Sequence, residues 1–268
     1  MLIAYKYRLY PNKEQREYFA KCFGCVRFIY NRMLSDKIDY YKETKKKLNN
    51  TPAQYKKEFE WLKEVDSLAL ANAQMNLQTA YNNFFKRPEV GFPKFKSKKN
   101  HYYSYTTNNQ GGNIYISDRY IKLPKIGLIR IKKHRDFEGL IKSVTVSKTP
   151  SGNHYVSVLV NQEEKEKLPV VDTQIGIDLG IKEFAITSDG EMIENPKYLR
   201  KSEKKLRKLQ KDLSRCQKGS KNREKCRIKV AKQHEKIANQ RKDFLNKLSH
   251  RLIMENQQIC LEDRSEER

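Results

Sequence analysis

The stretch QIGIDLGIKEFAITSDG at 174–190 constrains the fold more than any other part of the sequence. In its first half, apolar side chains alternate with Gly176, Asp178 and Gly180, which is the period of a strand with one buried face. Asp178 therefore lies on the opposite, open face. The two glycines leave room around this carboxylate for a bulky ligand, such as a hydrated metal ion or a phosphate.

A second apolar strand, QICLE at 258–262, also ends in an acid. Ile259 and Leu261 share one face, and Glu262 lies on the other. If this strand is parallel and adjacent to the first, both carboxylates emerge on one side, where a hard cation such as Mg²⁺ finds oxygen ligands. Two-ion phosphodiester hydrolysis needs further acids. The alternative is that Asp178 only ends a strand and Glu262 begins a solvated tail.

The charge balance predicts an anionic partner. Lysine and arginine number 56 against 32 acidic residues, a net charge of +24, which favours nucleic acid over a membrane surface. No apolar run approaches the roughly 18 residues of a spanning helix, and the first residues lack a signal-peptide core. We therefore expect a cytoplasmic, nucleoid-associated chain with no membrane partner.

The basic excess is concentrated at 201–233, where fourteen lysines and arginines face three acids. Leucines at helical spacing predict two helices around a turn at Gly219 and Ser220. Such a charge run can be merely a solvated face. Its density exceeds what solubility requires, so we expect it to contact nucleic acid.

The rest of the chain divides by periodicity. A strand at 2–9 carries Lys6 and Arg8 on one face. Helical patterns follow at about 12–47, 53–64 and 67–86, and short strands fill 89–168, which predicts an antiparallel sheet or barrel that the first strand joins. The charged stretch QEEKEKLP at 162–169 predicts a linker.

Five scattered cysteines argue against a disulfide framework. Cys22 and Cys25 form a CxxC pair, but no second pair or histidines lie at zinc-ligand spacing, so we expect both in a helical core. Sixteen tyrosines and eleven phenylalanines lie among the lysines. Some of these rings could stack on bases, although the sequence does not say which.

Several segments together resemble one family. IGIDLGIKEFAITSDG resembles the first motif of the RuvC-like nuclease in the TnpB (OrfB) family of insertion-sequence proteins, relatives of the type V CRISPR effectors. YKYRLYPNKEQREYFAKCFGCVRFIYNRML, GFPKFKSKK and RKDFLNKLSHRLIMENQQICLED resemble that family's N-terminus, lysine-rich stretch and second catalytic segment. The resemblance covers nearly the whole chain in the expected order.

The resemblance implies an α+β multidomain fold. Residues 1–10 and 89–168 would form an oligonucleotide-binding-like β-barrel (a wedge-like domain), with a helical recognition unit inserted at 11–88. Residues 169–268 would form a partial RNase H-like (RuvC) α/β domain with a basic helical hairpin, lacking a zinc ribbon and a third catalytic motif. The implied activity is RNA-guided recognition of double-stranded DNA beside a short adjacent motif.

The resemblance also implies site residues. Asp178 and Glu262 match the first two catalytic acids and would hold Mg²⁺. Gln74 and Asn76 fall in the segment that reads the adjacent motif in relatives. The candidate nucleic-acid-binding residues are Lys6, Arg8, Arg27, Gln74, Asn76, Lys94, Lys96, Lys204, Lys205, Lys208 and Lys211.

The sequence departs from the family after Glu262. The family continues with a four-cysteine zinc ribbon and a third catalytic Asp, whereas this sequence has EDRSEER and ends at Arg268. We therefore predict Mg²⁺ at an incomplete site, no zinc, and binding of a guide RNA from its own locus and of target DNA without efficient cleavage.

Four alternatives stay open at this stage. A GIDLG strand also occurs in sugar kinases, actin and Hsp70 chaperones, which usually place Thr or Ser soon after the glycine, where this chain has Ile181. The chain could instead be a general nucleic-acid binder, or a transposon remnant. It could also be an endonuclease whose missing part is supplied in trans.

Overall fold

The computed structural model describes residues 1–100, 103–164 and 169–261. The chain forms two compact units, 1–164 and 165–268. In the part of the chain that is described, none of the helices combines the length and apolar composition needed to cross a bilayer.

In its described residues, the first unit contains one antiparallel sheet, three α-helices and three short 3-10 helices. The helices are α1 (Lys13–Thr44), α2 (Pro52–Glu58) and α3 (Ser67–Lys86). The strands are β1 (Leu2–Tyr10), β2 (Tyr103–Asn108), β3 (Tyr115–Ile116), β4 (Tyr120–Leu123), β5 (Gly127–Lys132), β6 (Leu140–Lys148) and β7 (His154–Asn161).

The seven strands pair in the order β2-β6-β7-β1-β5-β4-β3. The N-terminal strand β1 lies between β7 and β5, as predicted. Within the described residues, no pairing between the edge strands β2 and β3 closes the sheet. The structure therefore shows an open antiparallel sheet in place of the expected closed barrel.

Alternation along the strands gives the sheet one buried face. Tyr7 and Leu9 of β1 are buried, as are alternate residues of β7. Helix α1 covers this face and packs Phe19 against the rings of Tyr105 and His154, with centroids 6.2 and 5.8 Å apart. Helices and sheet thus share one core, and the finer division into a barrel and an inserted unit stays a prediction.

Helix α1 begins where the sequence indicates. Asn12 accepts a hydrogen bond from the Gln15 backbone at 2.8 Å, and the Gln15 side chain accepts one from the Asn12 backbone, which forms a capping box. Cys22 and Cys25 lie on the buried stripe of this helix. Their prediction as core cysteines is confirmed, and burial raises the pKa of Cys22 to about 12 and that of Cys25 to about 11.

The second unit contains a smaller mixed sheet and a helical hairpin. The strands are β8 (Gln174–Leu179), β9 (Glu183–Thr187), β10 (Met192–Glu194) and β11 (Gln258–Leu261), in the order β10-β9-β8-β11. The helices α4 (Tyr198–Arg215) and α5 (Lys221–Glu255) pack on each other and form the basic hairpin.

One face of the smaller sheet packs against the C-terminal half of α5. Ile175 and Ile177 of β8 form a small core with Leu252, and Phe244 and Leu248 pack against it. β11 pairs with β8 in parallel, with Ile259 opposite Ile175 and Leu261 opposite Ile177. The parallel, adjacent arrangement that the sequence left as a condition is the one observed, and the basic hairpin connects β10 to β11.

Candidate nucleic-acid interface and acid site

Asp178 lies near the end of β8, opposite Ile186 of β9. Asp178 is exposed, whereas Ile175 and Ile177 on the other face of the strand are buried. The strand therefore presents the carboxylate on the sheet face away from α5, as the alternation predicts.

The space available to a side chain differs between the two glycines beside Asp178. A Cβ added at Gly180 would lie 2.9 Å from the backbone oxygen of Glu183, so the tight β8–β9 turn itself requires glycine. A Cβ at Gly176 would make an ordinary 3.6 Å contact with Ser188 Cβ. Gly180 needs no ligand to explain it, and only Gly176 is left as a glycine without a packing reason.

The second predicted acid, Glu262, lies outside the described residues. The described pairing of β11 stops at Leu261, opposite Ile177, the residue before Asp178. Among the described residues, no group of three His, Cys, Asp or Glu side chains is arranged to hold a metal ion. Mg²⁺ takes several oxygen ligands, so Asp178 by itself does not make a magnesium site.

The basic hairpin exposes the four lysines predicted from its sequence. Lys204, Lys205, Lys208 and Lys211 are all exposed on α4, while Leu206 is buried against α5. In the described part of the chain, none of the four forms an ion pair, in contrast to Arg207, which pairs with Glu203. These ammonium groups therefore face solvent and are available to phosphates.

Lys6 and Arg8 lie together on the open face of the seven-stranded sheet. Arg8 donates hydrogen bonds to Tyr155 Oη at 3.1 Å and to Asn153 Oδ1. The Tyr155 ring also lies beneath both cations, with Lys6 Nζ 4.7 Å and Arg8 Cζ 5.1 Å from its centroid. The guanidinium is thus held in one orientation before any ligand arrives.

Cross-strand pairing continues this alternation of rings and cations over the open face. Tyr10 lies opposite Arg130 of β5, and Arg130 lies opposite Tyr120 of β4. Lys122 in turn lies opposite Tyr115 of β3. We call the set the tyrosine–cation ladder: Lys6, Arg8, Tyr10, Tyr115, Tyr120, Lys122, Arg130, Lys132 and Tyr155.

The predicted readers of an adjacent DNA motif are placed differently from one another. Gln74 Nε2 donates to the backbone oxygen of Asn50 at 3.2 Å, so its amide supports the loop before α2. Asn76 is exposed on α3, and Arg27 is half-buried on α1. A role of these three residues in DNA recognition stays a prediction.

Lys94 and Lys96 belong to the lysine-rich stretch after α3. Asn31 holds the backbone of Lys96 through two hydrogen bonds, of 2.8 and 3.0 Å. The Lys96 ammonium lies over the Tyr30 ring, 4.1 Å from its centroid, and its partial burial there lowers the pKa of Lys96. Lys94 is exposed. The structure thus anchors this stretch to α1.

Comparison with known proteins places the chain in a family. The OrfB_IS605 model, described as "Probable transposase", matches residues 157–263, and a model described as "Helix-turn-helix domain" matches residues 1–46. A protein of Streptomyces pristinaespiralis, named as an RNA-guided DNA endonuclease, is 36% identical over 97% of this chain. The chain belongs to the TnpB (OrfB) family.

Two further comparisons bear on the extent of this TnpB-family chain. InsQ of Escherichia coli (strain K12), also named as an RNA-guided DNA endonuclease, is 32% identical over 76% of the chain. The chain spans 66% of the Streptomyces relative's length and 51% of InsQ's.

The segment matched by the helix-turn-helix model has a different structure in this TnpB-family chain. Residues 1–46 form a strand and one long helix, not two helices joined by a turn.

A solved structure shows the same fold for the TnpB-family chain. A cryo-EM structure of a Cas12f1–sgRNA–target DNA complex superposes with a TM-score of 0.58 and 12% identity, covering 94% of this chain and 66% of the other. At this identity the likeness concerns the fold alone. It supports an α+β arrangement of a large antiparallel sheet with helices.

Sequence reasoning missed most of the tyrosine–cation ladder. It singled out Lys6 and Arg8 but not the rings beside them. The signal was present, because Tyr120 and Lys122 alternate with the buried Ile121 and Leu123 in β4. Period-2 alternation in a strand with one buried face identifies open-face residues. The TnpB-family fold adds which strands are neighbours, and hence which ring lies beside which cation.

Proposed function

We propose that this chain binds a guide RNA produced from its own locus and, through that RNA, a double-stranded DNA target. Family membership supports the proposal, as do relatives named as RNA-guided DNA endonucleases. In such proteins, base pairing reads the sequence, while the protein holds backbones on basic surfaces. The net charge of +24 suits that role.

The observation that carries the proposal is the tyrosine–cation ladder. Tyr10, Tyr115 and Tyr120 are between 44% and 49% exposed, and each lies opposite a cation of the neighbouring strand. Every base offers a face on which such a ring stacks, while neighbouring cations hold the phosphates. Rings that alternate with cations are the arrangement by which proteins bind nucleic acids with unpaired bases, and this supports the proposal.

The basic hairpin is the second proposed contact surface. Among the described residues, the exposed lysines at 204, 205, 208 and 211 make no ring–cation contact of the kind seen on the sheet. Point charges of this kind bind phosphates without regard to base identity. We assign the hairpin to the backbone of RNA or of the RNA–DNA duplex.

The acid site is proposed to consist of Asp178 and Glu262. Glu262 directly follows Leu261, whose partner in β8 is Ile177, and Asp178 directly follows Ile177. A bound Mg²⁺ would polarise a phosphodiester as a Lewis acid. Two carboxylates supply fewer oxygens than a pair of such ions requires, so we propose that the 268-residue chain alone cleaves DNA inefficiently.

The binding proposal is tested by expressing the chain from its own locus with flanking DNA, purifying it and sequencing the copurified RNA. A discrete locus-derived RNA with one variable end is the expected result. Heterogeneous RNA in proportion to cellular abundance would indicate a general nucleic-acid binder and would overturn the guide-RNA assignment. Aggregated protein without RNA would favour the transposon-remnant alternative.

The cleavage proposal has a separate test. The purified complex is mixed with Mg²⁺ and a DNA duplex that matches the variable RNA end, beside the Asp178→Ala variant. We expect retention of the duplex without cutting by either protein. Efficient cutting by the original chain that disappears in D178A would refute the proposed inefficiency and would confirm the acid at the same time.

A further inference from the structure

The turn of the basic hairpin holds two thiols in contact. Cys216 caps the C-terminus of α4, and Cys226 lies one and a half turns into α5. Their Sγ atoms are 3.6 Å apart, and Cys216 Sγ also lies 3.2 Å from the backbone oxygen of Asp212. Both residues are half-buried, so part of each side chain is open to solvent.

The turn between the helices is well specified. Gly219 adopts a φ of 84°, and Ser220 Oγ accepts a hydrogen bond from the Arg223 backbone at 3.1 Å, which starts α5. Arg223 Nη1 donates to the backbone oxygens of Leu213 and Cys216 at 3.0 and 3.1 Å. These contacts tie the end of α4 to the start of α5 and keep the thiols facing each other.

We propose that Cys216 and Cys226 form a modification site that low-molecular-weight disulfides convert to an intramolecular disulfide. The Sγ atoms need to approach by about 1.5 Å to reach the bonded distance, which side-chain rotation achieves. The product fastens the end of α4 to α5 across the hairpin turn. This site is independent of the proposed function, because it needs no nucleic acid.

The reaction is two successive thiol–disulfide exchanges. The Cys226 thiolate attacks one sulfur of the reagent, which forms a mixed disulfide and releases one thiolate. The Cys216 thiolate then attacks Cys226 Sγ, which forms the protein disulfide and releases the second thiolate. The cysteines lose two electrons, the reagent gains them, and the two thiol protons pass to the released thiolates.

The geometry suggests the order of attack. Cys216 donates its thiol hydrogen to the backbone oxygen of Asp212 and also contacts Cys226 Sγ, and the interaction with Cys226 raises the pKa of Cys216. The Asp212 carbonyl holds the thiol hydrogen of Cys216, and this contact leaves Cys226 as the first nucleophile.

The other cysteines provide internal controls. Cys22 and Cys25 are buried in α1, with raised pKa values that keep them as thiols. Cys260 is exposed on β11. We expect Cys260 to accept a mixed disulfide and keep it, Cys22 and Cys25 to stay unreacted, and the hairpin pair alone to continue to a protein disulfide.

The test treats the full chain with oxidised glutathione and maps the products by mass spectrometry after trypsin digestion without reductant. Trypsin cleaves after Lys218, Lys221, Arg223 or Lys225, within the proposed loop. The expected product is therefore a pair of peptides that stay joined through Cys216 and Cys226 until a reductant is added. The Cys260→Ser variant should give the same joined pair.

The single variants make the result decisive. Cys216→Ser should stop at a stable glutathione adduct on Cys226, and Cys226→Ser should lose the joined peptides and react more slowly at Cys216. The proposal is overturned if the original chain ends with stable adducts on Cys216 or Cys226. It is equally overturned if both stay unmodified while Cys260 reacts, or if urea-unfolded protein forms the 216–226 bond as fast as native protein.

Discussion

The seven-stranded sheet and the basic hairpin both expose many cations, but they hold them in different ways. On the sheet, Arg8 is fixed by hydrogen bonds to Tyr155 and Asn153, and its strand neighbours alternate with exposed rings. On the hairpin, Lys204 and Lys208 project from α4 without an ion-pair partner among the described residues. The first surface is preorganised and combines cations with rings, and the second presents exposed lysines on flexible stems.

This difference teaches what each surface can recognise. A lysine on a flexible stem senses charge density and releases counterions, so its contribution falls steeply with salt. A guanidinium locked beside an aromatic ring senses geometry, and base stacking depends little on salt. We therefore expect the hairpin to supply most of the affinity and the sheet to supply preference for unpaired bases.

The largest effect is expected from neutralising the hairpin. The variant Lys204→Gln, Lys205→Gln, Lys208→Gln, Lys211→Gln should lower RNA affinity about 1,000-fold at about 0.1 M salt if each lysine neutralises one phosphate. The slope of log K against log salt should become shallower by about three. Fluorescence anisotropy at several salt concentrations measures both quantities.

A matched control removes the same charge elsewhere. Lys13, Lys46, Lys47 and Lys57 are exposed lysines of the first unit, and changing all four to Gln lowers the net charge equally. The control should retain most of the salt dependence. An equal loss of slope in both variants would show that only total charge matters and would remove the distinction between the two surfaces.

A second prediction concerns the core beneath the sheet. His154 is buried against Phe19, and burial, followed by the nearby Lys148, Arg16 and Arg8, lowers the pKa of His154 to about 4. In the unfolded chain, this histidine takes up a proton below about pH 6.5. The first unit should therefore lose up to about 3 kcal/mol of stability as the pH falls from about 6.5 to about 4, with no further loss from this group below that.

Urea unfolding followed by tryptophan fluorescence measures this loss. Trp61 is the single tryptophan and lies in the first unit, 4.9 Å from the Phe28 ring between centroids. His154→Gln should flatten the pH dependence, whereas the exposed His250→Gln on α5 should leave it unchanged. A pH profile unaltered by H154Q would mean that other groups account for the acid sensitivity. The stability of the first unit would then not depend on the protonation of His154.

Many of the elements compared above could be identified from the sequence, but the contacts between them could not. Alternation identified β1 and β8, and the structure meets the condition, left open by the sequence, that the two acid-bearing strands are parallel neighbours. Periodicity within one element cannot show which residue of another strand lies opposite, so the partners of Arg8 were out of reach. The Cys216–Cys226 contact was missed for the same reason, because a turn and one and a half helical turns separate the two thiols.

Contacts with backbone oxygens add information on two residues that the sequence singled out, Gly180 and Gln74. The glycines flanking Asp178 looked equivalent, but only the close approach of the Glu183 oxygen reveals that Gly180 serves the turn. The resemblance alone suggested Gln74 as a reader of the adjacent motif, which stays a prediction, and the structure adds that its amide donates to the Asn50 backbone. This hydrogen bond links residues that are distant in sequence, and local propensity cannot predict contacts between such residues.

A smaller effect is expected on the sheet. Tyr120→Ala should weaken binding of a single-stranded RNA about tenfold, since one stacked base contributes about 1–3 kcal/mol. The salt slope should not change. Tyr120→Phe is the matched control, because it keeps the ring and removes only the hydroxyl. If Y120F weakened binding as much as Y120A, hydrogen bonding rather than stacking would explain the role of this ring.

The smallest effect directly contrasts the two ways of holding a cation. Arg8→Lys keeps the charge but loses the planar group that bonds Tyr155 and Asn153, so single-stranded RNA should bind about threefold more weakly with an unchanged salt slope. The reverse exchange on the hairpin, Lys208→Arg, should be neutral, because any point charge serves there. Anisotropy titrations of both variants with one RNA give the comparison. Equal effects would mean that guanidinium geometry does not matter on the sheet, and the ladder would then act as a second electrostatic surface.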